Sequence, residues 1–287
     1  MKADSRFRSQ PKVFWSYVRL LSQHCGYTQR GTGQIKVLGL ATLTNALNEL
    51  GLKTDPLQRP DGAPTRLGKD LVDYFAYRAD VLNSTVEPLL MDADEAERVY
   101  LRVRRESKVS RAAVMNKQKG DKKKPAFLTE IVRTLIEAEI SGAECDFDPR
   151  ELTAFTRDGA IVRTLSRRVD GAFPSPLNPI AIWEIKEYYH TTTFGSRVAD
   201  GVYETQLDGM ELEDLRASEL IDCDHILFID SRYTWWECGR SYLCRIIDML
   251  NMGLVGEVVF GKEALKRAPL IAREWLRLLK KDSAARR

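Results

Sequence analysis

Two apolar runs that end in charged residues constrain this chain more than any other feature. The first is Arg167-Arg168-Val169-Asp170-Gly171-Ala172-Phe173 and the second is Ile180-Ala181-Ile182-Trp183-Glu184-Ile185-Lys186. Between them lie the turn formers Pro174, Pro176, Asn178 and Pro179, so both runs read as strands of a hairpin. Side chains alternate along a strand, which puts Glu184 and Lys186 on one face and Trp183 and Ile185 on the other. A glutamate and a lysine closing a hydrophobic strand are costly to hold there unless paired or used. In the paired hairpin Asp170 lies beside Glu184, bringing two carboxylates and an amine to one spot. Close carboxylates repel, a divalent cation relieves that repulsion, and oxygen donors favour Mg²⁺ or Mn²⁺. The amine could orient or help deprotonate a water, or stabilise charge developing on a phosphate. The plainer alternative is a surface hairpin with a cross-strand salt bridge.

The flanking sequence reads as α/β (α+β), a mixed central sheet flanked by helices, with a mainly helical N-terminal region. Residues 126–140 form an amphipathic helix with Phe127, Leu128, Ile131, Leu135 and Ile136 on a broad apolar face. Glu130 and Glu137, seven apart, share a face of it. Residues 152–156 and 160–169 are β-rich. After Lys186 a polar and aromatic segment carries His190, a candidate acid/base group, and Arg197. A helix over 198–215 bears Glu204, Gln206 and Asp208. The apolar run His225–Asp230 reads as a buried strand, followed by a helix over 239–252, a strand over 255–260 and an amphipathic helix over 263–281. Trp235 and Trp236 are expected to fill the core or an interface.

Asp170, thirteen intervening residues and then Glu184-Ile185-Lys186 resemble the Asp…Glu-x-Lys core of the PD-(D/E)xK nuclease superfamily, which includes many restriction endonucleases. The resemblance covers roughly residues 126 to 262, in motif order and in the order of elements. It departs at Val169, where the signature has proline. It implies a restriction-endonuclease-like core and a Mg²⁺-dependent endodeoxyribonuclease, with Mn²⁺ able to substitute. Asp170 and Glu184 would hold the metal, the Ile185 carbonyl would be a possible further ligand, and Lys186 would sit by the attacking water. Gln206, from the helix after the motif strand, and Glu137, from the helix before it, are the candidate auxiliary residues. The implied products carry 5′-phosphate and 3′-hydroxyl ends. A type II restriction enzyme cutting double-stranded DNA is the first expectation, with a homodimer and a cognate methyltransferase as implied partners. A phage-defence or repair nuclease without fixed sequence specificity, and a non-catalytic DNA-binding protein on the same fold, are the alternatives.

Residues 12–23, 35–50 and 67–81 read as helices, and the first two are separated by the polar break Gly26–Gln34. Gly31 and Gly33 alone do not make a nucleotide loop, because no Lys-Thr pair follows them. Helix, break and helix beside Arg30, Lys36 and Lys53 could read DNA or simply pack on the core. A long charged helix is expected over 92–115, with Asp92 at its start. Residues 116–125 are a basic linker or loop, dividing the chain into a helical region 1–115 and a nuclease core 126–287. Lys and Arg displace counterions from a duplex, and the candidate DNA contacts are Lys122, Lys123, Lys124, Arg167, Arg168, His190 and Arg197. The net charge of +3 is too small to imply nucleic acid by itself. Five cysteines without paired spacing read as reduced thiols rather than a zinc site. No apolar run reaches membrane-spanning length and the N-terminus lacks a secretion signal, so a cytoplasmic protein is expected.

Overall fold

The computed structural model describes residues 1–116, 118–120, 123–140, 142–190 and 195–285, the side chains of 197 and 282–285 excepted. In chain order its helices are α1 (Ser5–Arg8), α2 (Lys12–Cys25), α3 (Leu40–Glu49), α4 (Arg66–Asp80), α5 (Ala93–Glu106), α6 (Phe127–Glu139), α7 (Ser196–Glu219), α8 (Arg240–Met252) and α9 (Ala264–Ala285). The strands are β1 (Ala154–Arg157), β2 (Ala160–Thr164), β3 (Gly171–Phe173), β4 (Ala181–Glu187), β5 (Asp224–Asp230) and β6 (Glu257–Phe260).

Four strands make a mixed sheet in the order β3-β4-β5-β6, with β3 antiparallel to β4 and the rest parallel. The parallel strands are joined through α7 and α8, because a parallel crossover needs a long connection. Both β5 and β6 are buried nearly throughout, and their continuous apolar runs follow from being covered on two faces. One face packs Phe173, Trp183, Phe228 and Val259 against Leu128, Val132 and Ile136 of α6 and Ile271, Ala272 and Trp275 of α9. Trp183 and Trp275 stack there with ring centroids 5.2 Å apart. The other face sets Ile182 against Leu212 and Leu215 of α7, and Leu227 and Ile229 against Leu243, Ile246 and Ile247 of α8.

The expected β-rich run 160–169 is not one strand leading into this sheet. β1 and β2 form a separate two-stranded sheet, with Ala154 of β1 also bridging to Leu177, and residues 165–170 return to the main sheet as an irregular segment that buries Leu165 and Val169. The N-terminal helices pack on the core. Arg78 of α4 donates to both oxygens of Asp248 on α8 at 3.0 and 3.1 Å, and Tyr74 donates to the same carboxylate at 2.5 Å. Helix α3 starts at Leu40 rather than at 35, since Ile35 bridges to Thr28 and closes the polar break on itself. Asp92 caps α5 by accepting from Glu95 N, as expected. That helix stops at Glu106 instead of running to 115. Lys108 turns the chain in a left-handed conformation, and Arg111 folds back to Glu130 and Glu137.

Candidate active site

The register of β3 on β4 pairs Gly171 with Trp183, so Asp170 stands opposite Glu184 as the hairpin predicts. The two acidic residues are laced through their backbones. Asp170 N donates to Glu184 Oε1 at 3.2 Å, and Ile185 N donates to Asp170 Oδ2 at 2.9 Å. Gly171 permits this approach, because a Cβ there would lie 1.9 Å from the Trp183 ring. Glu184 is fully buried, and Lys186 Nζ meets its Oε2 at 2.7 Å. Gly201 on α7 leaves space for that amine's stem, which a Cβ would meet at 3.2 Å. The far end of β4 is anchored by Trp235, whose indole N–H donates to the Lys186 carbonyl at 3.2 Å.

Arg167 sits inside this cluster. Its guanidinium stands 3.0 Å from Glu184 Oε1 through Nη1 and 3.2 Å from Oε2 through Nη2, while Nη1 also reaches Asp208 Oδ2 at 2.6 Å. Glu204 completes the group, 3.0 Å from Lys186 Nζ and 3.4 Å from Arg167 Nη2. Residues four apart share a helix face, so α7 presents Glu204 and Asp208 together. Burial alone would raise the Glu184 carboxyl, but Lys186 and Arg167 outweigh it and hold Glu184 below its ordinary range. Burial also opposes the charge on Lys186, yet Glu184 and Asp170 keep its ammonium above the ordinary lysine range. Asp208 is pushed up to about 7 by burial and by Glu184.

Beside the cluster opens a cleft of about 950 Å³, within the usual size of ligand sites. Asp170, Lys186 and Tyr188 line its sheet side, Thr129 and Arg133 of α6 form one wall, and Met115, Asn116 and Pro125 overhang it. Met115 and Pro125 bridge, so the two ends of the expected basic linker meet beside the cleft. Arg133, Arg150 and Arg168 bring positive charge to the lining. Arg133 is shared with Glu137 and Arg150 with Asp148, whereas Arg168 makes no ion pair among the described residues.

The remaining candidates fall as follows. Gln206 points away, its amide 3.8 Å from Met210 Sδ, and the sequence reading passed over Glu204 and Asp208 as the α7 residues that reach the cluster. Glu137 is held by Arg111 and Arg133 and does not line the cleft. Arg167 is placed among carboxylates rather than at the surface. His190 lines the cleft edge-on to Phe127, with its Nε2 unpartnered among the described residues; burial and then Lys124 lower its pKa. Lys123 and Lys124 are exposed on the loop. Lys122 lies outside the described residues, as does the side chain of Arg197.

Glu187, which also lines the cleft, stands beside Asp230 at the ends of β4 and β5. Glu187 accepts from Leu128 N and Thr129 N at the start of α6, at 2.5 and 3.3 Å. Asp230 accepts from Met91 N and Ser231 N, both at 2.8 Å, and from Tyr189 at 2.5 Å. Burial pushes Glu187 up to about 8 and Asp230 up to about 7.

The donor chemistry of Asp170 and Glu184 fits a hard divalent cation, and their reciprocal bonds hold the two carboxylates together. Among the described residues no group of three His, Cys, Asp or Glu side chains is placed to enclose an ion. Likewise, among the described residues no helix is long and apolar enough to cross a membrane. Residues 91–275 match the family described as Domain of unknown function (DUF7687), and residues 1–85 match a second, Domain of unknown function (DUF7690). The two matches divide between α4 and α5. No curated protein and no solved structure matches the chain.

Proposed function

The chain belongs to the DUF7687 family, and we propose that it is a Mg²⁺-dependent endonuclease hydrolysing phosphodiester bonds of double-stranded DNA. One observation carries the reading. Asp170, Glu184 and Lys186 converge at the edge of a cleft whose other charged lining includes Arg133, Arg150 and Arg168. The order of elements supports it too, with α6 ahead of the strand pair, the motif on β3 and β4, and α7 returning polar groups to the site. A restriction-endonuclease-like core accounts for that order.

In this reading Asp170 and Glu184 would hold the cation, which would supply Lewis acidity toward the attacking water and the phosphate. Lys186 acts as a charged donor. Its amine, 2.7 Å from Glu184, would orient water or stabilise the phosphate oxygens. Arg168 and the loop lysines Lys123 and Lys124 attract the phosphate backbone from the rim. Water attacks phosphorus and the 3′ oxygen leaves, giving 5′-phosphate ends. One such site cuts one strand, so double-strand cleavage needs a second copy or successive nicking.

The test is supercoiled plasmid with purified protein, with and without Mg²⁺, beside Asp170→Ala and Lys186→Ala. Metal-dependent cutting lost in both variants is expected. Discrete fragments would identify a type II restriction enzyme, and a smear a defence or repair nuclease without a fixed site. Folded wild-type protein that neither cuts nor binds DNA in Mg²⁺ or Mn²⁺ would sink the proposal.

A further inference from the structure

The Glu184 carboxylate has about four acceptor positions, and three of them take protein hydrogen bonds. Oε1 accepts from Asp170 N at 3.2 Å, and Oε2 accepts from Lys186 Nζ at 2.7 Å and Arg167 Nη2 at 3.2 Å, while Arg167 Nη1 stands 3.0 Å from Oε1 as an ion-pair contact. A cation therefore competes with two charged donors for Glu184. Both charged donors already touch a second acceptor on α7. Arg167 holds Asp208 at 2.6 Å and Glu204 at 3.4 Å, and Lys186 holds Glu204 at 3.0 Å. Asp208 Oδ1 is buried and has no hydrogen-bond partner among the described residues, so this carboxylate can take a further bond. An arginine fork that leaves Glu184 thus stays paired, which avoids the large cost of an isolated buried charge.

We propose that Arg167 is a positioning residue that competes with a divalent cation for Glu184, and that Glu204 and Asp208 are the acceptors to which it withdraws when the cation binds. This exchange rests on the reading that Asp170 and Glu184 hold the cation. It assigns α7 a role in setting metal affinity, distinct from supplying a metal ligand or a group to the substrate.

The experiment is Mn²⁺ binding to the full chain, followed by loss of the free Mn²⁺ resonance, with circular dichroism and melting confirming that each variant is folded. Arg167→Gln should tighten binding by about tenfold, the size of one charge-assisted bond. Asp208→Asn should weaken it by a similar factor, because Arg167 then leans on Glu184. Simple removal of charge predicts the same two signs, so the decisive arm is the double variant. With Arg167 already replaced, Asp208→Asn should change affinity by less than about twofold if its effect runs through the arginine. Additive effects in the double variant, or weaker binding in folded Arg167→Gln, overturn the exchange. Should Arg167→Gln not fold, the pair Asp208→Asn and Glu204→Gln stands in, and unchanged affinity in both overturns it. Binding that ignores Asp170→Ala in every background overturns the cation site itself and the nuclease reading with it. Asp170-dependent binding that Arg167→Gln weakens removes the exchange alone.

Discussion

Gly171 shows how closely the residue scale governs this site. A methyl at that position would enter the Trp183 ring that orders β3 against β4. Gly171→Ala is therefore expected to destabilise by about 1–3 kcal/mol through overpacking, read as a lower melting temperature. Raised carboxyls, Asp208 among them, give the protein a pH dependence of stability. Glu187, pushed up to about 8, and Asp230, pushed up to about 7, bind protons in the folded state at pH values where an unfolded chain has released them. The folded state then binds more protons between the ordinary carboxylate range and about pH 8. Stability should fall as pH rises across that interval. Melting curves from pH 5 to 8.5 should show the fall, and Glu187→Gln and Asp230→Asn should each flatten it. A melting temperature that rises through this range would contradict the assignment.

At the scale of elements, the motif strand was legible and its partner helix was not. Side chains along β4 point to alternate faces, so the pairing of Glu184 with Lys186 and the place of Asp170 follow from a period of two, although both faces of the strand are largely buried. Helix α7 offers three polar residues within one turn and a half, and only its phase decides which meets the site. Val198, Val202, Thr205, Asp208 and Leu212 trace the buried stripe. At 100° per residue Gln206 stands about 200° from Asp208, on the opposite side, while Glu204 shares its face. Reading that stripe first would have selected Glu204 and Asp208. The early end of α5 carried no such signal, since Ser107 and Lys108 are not strong helix breakers. Glu130 captures Arg104 and Arg111 at 2.7 Å each and turns the chain, a tertiary effect that overrides local pattern. Arg168, on the segment leading into β3, is expected to contact a phosphate. Arg168→Ala should weaken DNA binding at every sequence tested and reduce the slope of log affinity against log salt by about 1. An unchanged slope would place the duplex elsewhere.

At the scale of the whole molecule, α1–α4 pack largely in an apolar cluster of their own, and the segments that follow α2 and α4 join them to the core of the sheet. Ile35, Leu82 and Val86 lie in the same apolar cluster as Leu227, Ile229 and Phe260. Arg78 and Asp248 pin that junction from inside, both buried. Arg78→Met should cost about 3–5 kcal/mol, because it strands a buried carboxylate. Unfolding should stay a single transition, and two separated transitions would mean that the halves are independent. The central claim concerns the chemistry that this scaffold positions. It is tested most directly by the cleavage of a plasmid in Mg²⁺ by wild-type protein and by Asp170→Asn, which keeps the shape of the side chain. The account predicts cutting by the wild type, none without metal, and none by a variant that still folds and still binds DNA. Equal cutting by Asp170→Asn would contradict it.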